Sequence, residues 1–276
     1  MYRFTKIVGV LNITPDSFSD GGDFLDATLA LQRAKKMREE GADIIDIGAE
    51  STAPHNAEIS EQEEWERLKN ILPVLLSSGI PISLDSQKSG IWQKFLELGG
   101  NMINDVSGLG RTEEEQQKKI ELLQKFPNVK IVVMFSRDIS SPDPENLKEA
   151  IIPEISAFFQ QKMSLLEKNG ISKSRIILDT GMGGFLSKNP EISFHVLRNF
   201  SEFSGCKDQG CELYLGTSRK SFLSEVSQNA SPDKRVISSI VSSVLGIQNG
   251  ADYVRVHDVH EMKIAMNTLK AIQNTT

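Results

Sequence analysis

Short apolar runs rich in β-branched residues alternate with longer segments of helical periodicity along the whole chain, the pattern of a parallel sheet wrapped by helices. The runs predict strands at 6–13, 43–48, 81–85, 102–106, 130–135, 175–179, 212–217 and 253–257. The periodic segments predict helices over 25–40, 61–78, 88–98, 113–125, 144–169, 189–203, 219–227, 232–249 and 259–273, so one connection holds two helical pieces. Ser60 before a Glu-rich turn, and Asp143-Pro144-Glu145, supply start signals, while Gly41, Gly79 and Gly170 close helices. Eight strands are the count of a closed barrel, and 276 residues suit a fold of roughly 250, so the prediction is an α/β chain forming a single (β/α)8 TIM barrel domain over 1–276. A doubly wound open sheet also alternates strand and helix, but no GxGxxG turn follows the first strand.

Nearly every predicted strand ends in a polar residue: Asn12; Asp46 and Glu50; Asp85; Asn104 and Asp105; Asp179; Ser218 to Lys220; Arg255 and His257. Singly, each is a good turn former or helix cap. Repeated at the carboxyl ends of barrel strands, they converge on the face where barrel active sites are built. Asp46 lies mid-strand among isoleucines and reads as structural, and Asn104 is a better candidate than Asp105. Asp85, Asn104 and Asp179 suit the donor-rich edge of an aminopyrimidine-type heterocycle, with Lys220 donating to a ring carbonyl. Arg219, Arg255 and His257, with Ser218 and Thr52, suit an anion on the same face. The loop at 12–22, carrying Asp16, Phe18 and Asp20, has the composition of a lid.

Composition narrows the class. The chain is 39% hydrophobic and carries a net charge of −6, which supplies a core but no general affinity for nucleic acid. Cys206 and Cys211 fall in one polar stretch and read as loop thiols, not a disulfide framework. The first apolar run breaks at Asn12, which argues against a signal peptide or membrane span and leaves a cytoplasmic location as the expectation.

Six motifs at one-barrel spacing then carry a resemblance: NITPDSFSDGG (12–22), GADIIDIGAEST (41–52), SLDS (83–86), INDVSG (103–108), TSRKSF (217–222) and GADYVRVHDV (250–259). Together they resemble the dihydropteroate synthase family. The resemblance implies a transferase that joins p-aminobenzoate to 6-hydroxymethyl-7,8-dihydropterin pyrophosphate, with Mg²⁺ assisting release of pyrophosphate. Asp85, Asn104, Asp179, Lys220 and the apolar Met134 match the family's pterin pocket. Asn12, Thr52, Arg255 and His257 match its pyrophosphate and metal end, Asn12 and Asp20 being the implied metal ligands. Phe18 and Asp20 match loop positions that close over the substrates, and Ser221 lies where the aminobenzoate carboxylate reaches a helix N-terminus. A homodimer paired through outer helices is a further expectation.

Three segments depart from the family. Ala53-Pro54-His55 stands where Arg-Pro-Gly is usual, removing a pyrophosphate-binding guanidinium for which His55 and Arg137 are the candidate substitutes. DTGMGGFLSK (179–188) replaces DPGIGFGK and shifts Phe185 by one place, and VVMFSRD (132–138) lacks Met-His-Met. Two other functions stay open on these departures: a paralogue that binds reduced pterins with altered chemistry, and a pterin-dependent methyltransferase domain. Coupling of aminobenzoate would separate the first from both, and a requirement for a corrinoid partner would mark the last.

Overall fold

The computed structural model describes residues 5–13, 22–50 and 58–274, with side chains from residue 26 onward in the second stretch. Eight parallel strands close into a barrel in sequence order: β1 (Lys6–Asn12), β2 (Ile44–Gly48), β3 (Ile82–Asp85), β4 (Met102–Asp105), β5 (Lys130–Met134), β6 (Ile176–Asp179), β7 (Glu212–Leu215) and β8 (Tyr253–Val256). Each lies within two residues of its predicted bounds.

Alternation along the strands divides them into two faces. Val8, Ile44, Met102, Val132, Ile177, Tyr214 and Tyr253 form one buried cluster lining the barrel interior, whereas Ile7, Ile45, Ile103, Ile131, Ile176, Leu213 and Val254 join the larger cluster beneath the helices. One end of the interior is stoppered by polar groups. Lys6 donates to the Tyr253 hydroxyl at 3.3 Å, that hydroxyl donates to Glu212 at 3.0 Å, and Lys130 pairs with Glu212. Two residues further along each strand, the inward positions of the opposite end are Asp46, Asp85, Asn104, Asp179 and Arg255. The apolar middle layer therefore separates a structural polar plug from a polar mouth.

Around the barrel run α1 (Gly22–Glu40), α2 (Glu61–Leu68), α3 (Ile71–Ser77), α4 (Ser89–Glu97), α5 (Glu113–Lys125), α6 (Leu147–Lys168), α7 (Pro190–Arg198), α8 (Gly205–Asp208), α9 (Val236–Gln248) and α10 (Val259–Gln273). Ser60 caps α2 by accepting from Glu63 N–H at 3.1 Å, and Gly41, Gly79 and Gly170 take positive φ at helix ends. The predicted helix over 61–78 is instead two helices. Pro73 has no amide hydrogen and its ring would crowd the Lys69 carbonyl four residues back, which places the break at Lys69-Asn70. The start at Asp143-Pro144 is also corrected, since α6 begins at Leu147 behind Asn146. The predicted helix over 219–227 is replaced by two three-residue 3-10 turns, with Arg219, Gln228 and Asn229 in the left-handed region.

Asp105 points outward, unlike Asn104 before it. Its carboxylate accepts from Ser107 and Leu109 N–H and pairs with the buried Lys119 ammonium of α5 at 2.9 Å, above the Trp92 ring. Lys119→Met should lower unfolding stability by about 3 kcal/mol, because it strands a buried carboxylate. Adding Asp105→Asn should recover part of that loss in denaturant titrations.

Cys206 and Cys211 are free thiols as expected, Cys211 in the loop before β7 but Cys206 in α8; both are buried in the outer core, where burial pushes them up to about 11 and about 12. Among the described residues no helix is long and apolar enough to cross a membrane.

Candidate active site

The inward residues at the carboxyl ends of the strands form one connected network. The Arg255 guanidinium donates through Nε to Asp46 and through Nη2 to Asp85, both at 2.7 Å, and the Asn104 amide donates to the same Asp46 oxygen at 3.0 Å. Asp46 is therefore part of the site and not merely structural, correcting the expectation from its isoleucine neighbours. It shares the inward face with Ile44 and Gly48, while Ile45 and Ile47 face the helices. Gly48 leaves room beside Asp85, since a Cβ there would stand 3.3 Å from the Asp85 Cβ.

Three acceptors in this network are buried without a hydrogen-bond partner among the described residues: Asp85 Oδ1, Asn104 Oδ1 and Asp46 Oδ1. Buried acceptors of this kind are met by donors from a bound molecule or water. Because Asp46 is an acceptor only, it holds the Asn104 amide with its NH₂ inward and its carbonyl free. Across the mouth, Asp179 accepts from Gly181 N–H at 2.9 Å, and Gly181 takes φ of +64° with its backbone packed on the Phe135 carbonyl. Lys220 lies over the Phe185 ring at 4.9 Å, so the altered strand-six loop still supplies an aromatic wall. Met134, inward at the end of β5 and paired in register with Asp179, is buried beside it.

Burial dominates the electrostatics. It raises Asp85 to about 7, against the lowering field of Arg255, and raises Asp179 to about 6, against Lys220. It lowers Lys220 to about 8, opposed by Asp179. Arg255 moves upward despite its burial, because Asp46 and Asp85 flank it. His257 is pushed down to about 4 by burial and by the cations Arg255 and Arg219.

The predicted anion end is rearranged. Arg255 belongs to the floor of the pocket, with Nη1 left over among the described contacts. Arg219 turns away to form a two-point pair with Asp258, at 3.1 Å from Nε and 2.5 Å from Nη2. Arg137, the candidate substitute for the missing guanidinium, follows β5, three strands round the barrel from the β2 that precedes Ala53, and is held by Asp143, Glu154 and the Leu186 carbonyl. Ser221 is exposed at the start of a short 3-10 turn, so the expected helix N-terminus is absent there. Glu50 binds Ile59 N–H and Lys88, tying loops together. Asn12 is exposed at the end of β1. Phe18, Asp20, Thr52, Ala53 and His55 lie outside the described residues, as does the lid expected at 12–22 for residues 14–21.

Fold and site together define a (β/α)8 barrel whose mouth carries buried acceptors and a half-buried ammonium at the carboxyl ends of its strands. The sequence profile of the pterin binding enzymes matches residues 8–257. Type-3 dihydropteroate synthase of Escherichia coli is 35% identical over 270 residues, spanning 97% of this chain and 99% of that protein. Dihydropteroate synthase of Clostridium difficile, crystallised in the presence of pteroic acid, superposes with a TM-score of 0.86 at 37% identity over 99% of this chain and 98% of that one. The Anaplasma phagocytophilum enzyme with bound 6-hydroxymethylpterin-monophosphate gives 0.85 at 33% identity over 97% and 99%. The chain belongs to the dihydropteroate synthase family of pterin-binding enzymes.

Proposed function

We propose that this chain condenses 6-hydroxymethyl-7,8-dihydropterin pyrophosphate with p-aminobenzoate, giving 7,8-dihydropteroate and pyrophosphate. The observation that carries the assignment of roles is the set of buried acceptors on Asp85 and Asn104 that lack a partner among the described residues, at the same end of the barrel as the half-buried Lys220, whose charge feels Asp179 and Asp85. An aminopyrimidine edge supplies the N–H groups those acceptors require, and its ring carbonyl accepts from Lys220. Met134 packs against the ring. The relatives crystallised with pteroic acid and with a pterin monophosphate support a ligand of this kind.

Chemistry at the mouth follows from charge. Departure of pyrophosphate leaves a cationic methylene conjugated to the pterin, and the ionised carboxylates of Asp85 and Asp179 favour that positive charge where little water screens them. Arg255 and His257 receive charge on the departing oxygens. The aminobenzoate nitrogen, a neutral aromatic amine, then needs position more than a strong base. The exposed Ser221 hydroxyl, next in sequence to Lys220, is the proposed partner of the aminobenzoate carboxylate.

Asn12 and Asp20 would hold a Mg²⁺ ion at the pyrophosphate end. The Asn12 amide is a hard oxygen donor at the mouth and suits such an ion, with Asp20 as the second proposed ligand. When bound, the ion supplies charge neutralisation at the leaving group.

The pH dependence of kcat/KM tests the assignment of roles. Asp85 and Asp179 act as ionised acceptors, so activity is lost as pH falls through about 7 for Asp85 and about 6 for Asp179. Lys220 acts as an ammonium, so activity is lost as pH rises through about 8. The expected profile is a narrow bell between these limbs, whose apparent values belong to the coupled cluster. A flat profile from pH 5.5 to 9 would contradict it.

A homodimer is proposed on a separate observation. Ile237, Val241 and Leu245 recur every fourth residue on α9 and are 81%, 64% and 39% exposed, beside α10 with its exposed Ile264 and Ile272. A stripe of this kind marks an interface. Light scattering should give twice the 30.6 kDa chain mass, and Val241→Asp should give the monomer.

A further inference from the structure

Ser218 follows β7 and His257 follows β8, so they meet between neighbouring strands at the rim of the mouth. Among the described residues, both partners of the Ser218 hydroxyl belong to His257: the backbone N–H at 3.1 Å and the ring Nδ1 at 3.0 Å. A backbone amide only donates, so Ser218 Oγ accepts in the first contact. Its single proton then finds one acceptor among the described residues, Nδ1. Were Nδ1 to carry the ring proton, the hydroxyl of a residue only 8% exposed would have nothing to donate to. The ring proton therefore sits on Nε2.

The surroundings leave that tautomer undisturbed. Asp258, the nearby carboxylate, is taken at both oxygens by Arg219. Burial with Arg255 and Arg219 keeps the ring neutral, at about 4. Nε2 has no protein partner among the described residues, and the ring is half-buried. For a neutral imidazole, the tautomer alone decides whether this free edge offers an N–H or a lone pair.

We propose that Ser218 is a positioning residue that fixes His257 as the Nε2–H tautomer, so that a neutral ring donates a hydrogen bond to an oxygen of the departing pyrophosphate. The opposite tautomer would set a lone pair against that anionic oxygen. The proposal rests on the assignment of the mouth to pyrophosphate, and it changes the part played by Ser218. Its hydroxyl is spent on orienting His257 and does not itself contact the anion.

Imidazole nitrogen shifts in ¹⁵N-histidine-labelled protein test the tautomer, with His257 assigned among the four histidines by its loss in His257→Gln. Wild type and Ser218→Thr should both show Nε2–H, and Ser218→Ala should show a mixture. In parallel titrations with inorganic pyrophosphate, Ser218→Ala should bind about 10-fold more weakly, the scale of one hydrogen bond to a charged group, and Ser218→Thr should restore binding. Finding Nδ1–H in the wild type would overturn the proposal. So would a tautomer that shifts in Ser218→Ala while pyrophosphate affinity stays unchanged. If the wild type shows Nε2–H yet binds no pyrophosphate, the assignment of the mouth fails and the donation to the anion fails with it, whereas the hydroxyl's hold on the ring survives.

Discussion

Lys220→Met is expected to lower kcat/KM for the pterin pyrophosphate by about 10³, the scale of losing a charged hydrogen bond and leaving its carboxylate partner without a counter-charge. Methionine keeps most of the volume over the Phe185 ring, so the change is electrical more than steric. Lys220 is the first positive group opposing the upward shift of Asp179. Without it, Asp179 is protonated over more of the neutral range and loses its acceptor role as well. Calorimetric titration with 6-hydroxymethylpterin should show the same weakening as steady-state kinetics. A variant that bound the pterin as tightly as wild type would remove Lys220 from the pocket.

Asp85→Asn is expected to lower kcat/KM by about 10²–10³ through loss of a charged acceptor, and to stabilise the fold at pH 8. The sign follows from the raised Asp85, which burial lifts to about 7 despite Arg255. Between the unfolded value near 3.9 and about 7, the native protein holds a proton that the unfolded chain has released, so this group's contribution to stability falls as pH rises through that window. An asparagine carries no such charge. Melting temperature should therefore rise by several degrees at pH 8 and change little near pH 4. Lower stability at pH 8 would mean that the pair with Arg255 outweighs the burial of the carboxylate.

Much of the barrel was legible because its strands are short apolar runs bounded by glycine, proline and charge, and because the strand-end polar residues repeat. Asn104 and Asp105 separate by alternation alone: Asn104 shares the inward face with Met102, and Asp105 faces Lys119. The same rule applied to β2 puts Asp46 inward with Ile44, and the isoleucines on either side of it concealed this. Partnership was less legible. Arg219, Arg255 and Ser218 all sit near an anion site in sequence, yet Asp258, Asp46 with Asp85, and His257 claim them through contacts between different strand ends. The turn at 221–227 failed as a helix because the segment is bounded by left-handed Arg219 and Gln228 and is interrupted by serines that favour local backbone bonds. Pro73, by contrast, was a visible break four residues after Lys69.

Ala53 is where the family's pyrophosphate-binding arginine is absent, so turnover is the most direct test of the whole account. Purified protein supplied with Mg²⁺, 6-hydroxymethyl-7,8-dihydropterin pyrophosphate and p-aminobenzoate should release pyrophosphate and form 7,8-dihydropteroate in equal amounts, with neither product when p-aminobenzoate is withheld. Folded protein that binds the pterin but forms no dihydropteroate under these conditions would contradict it.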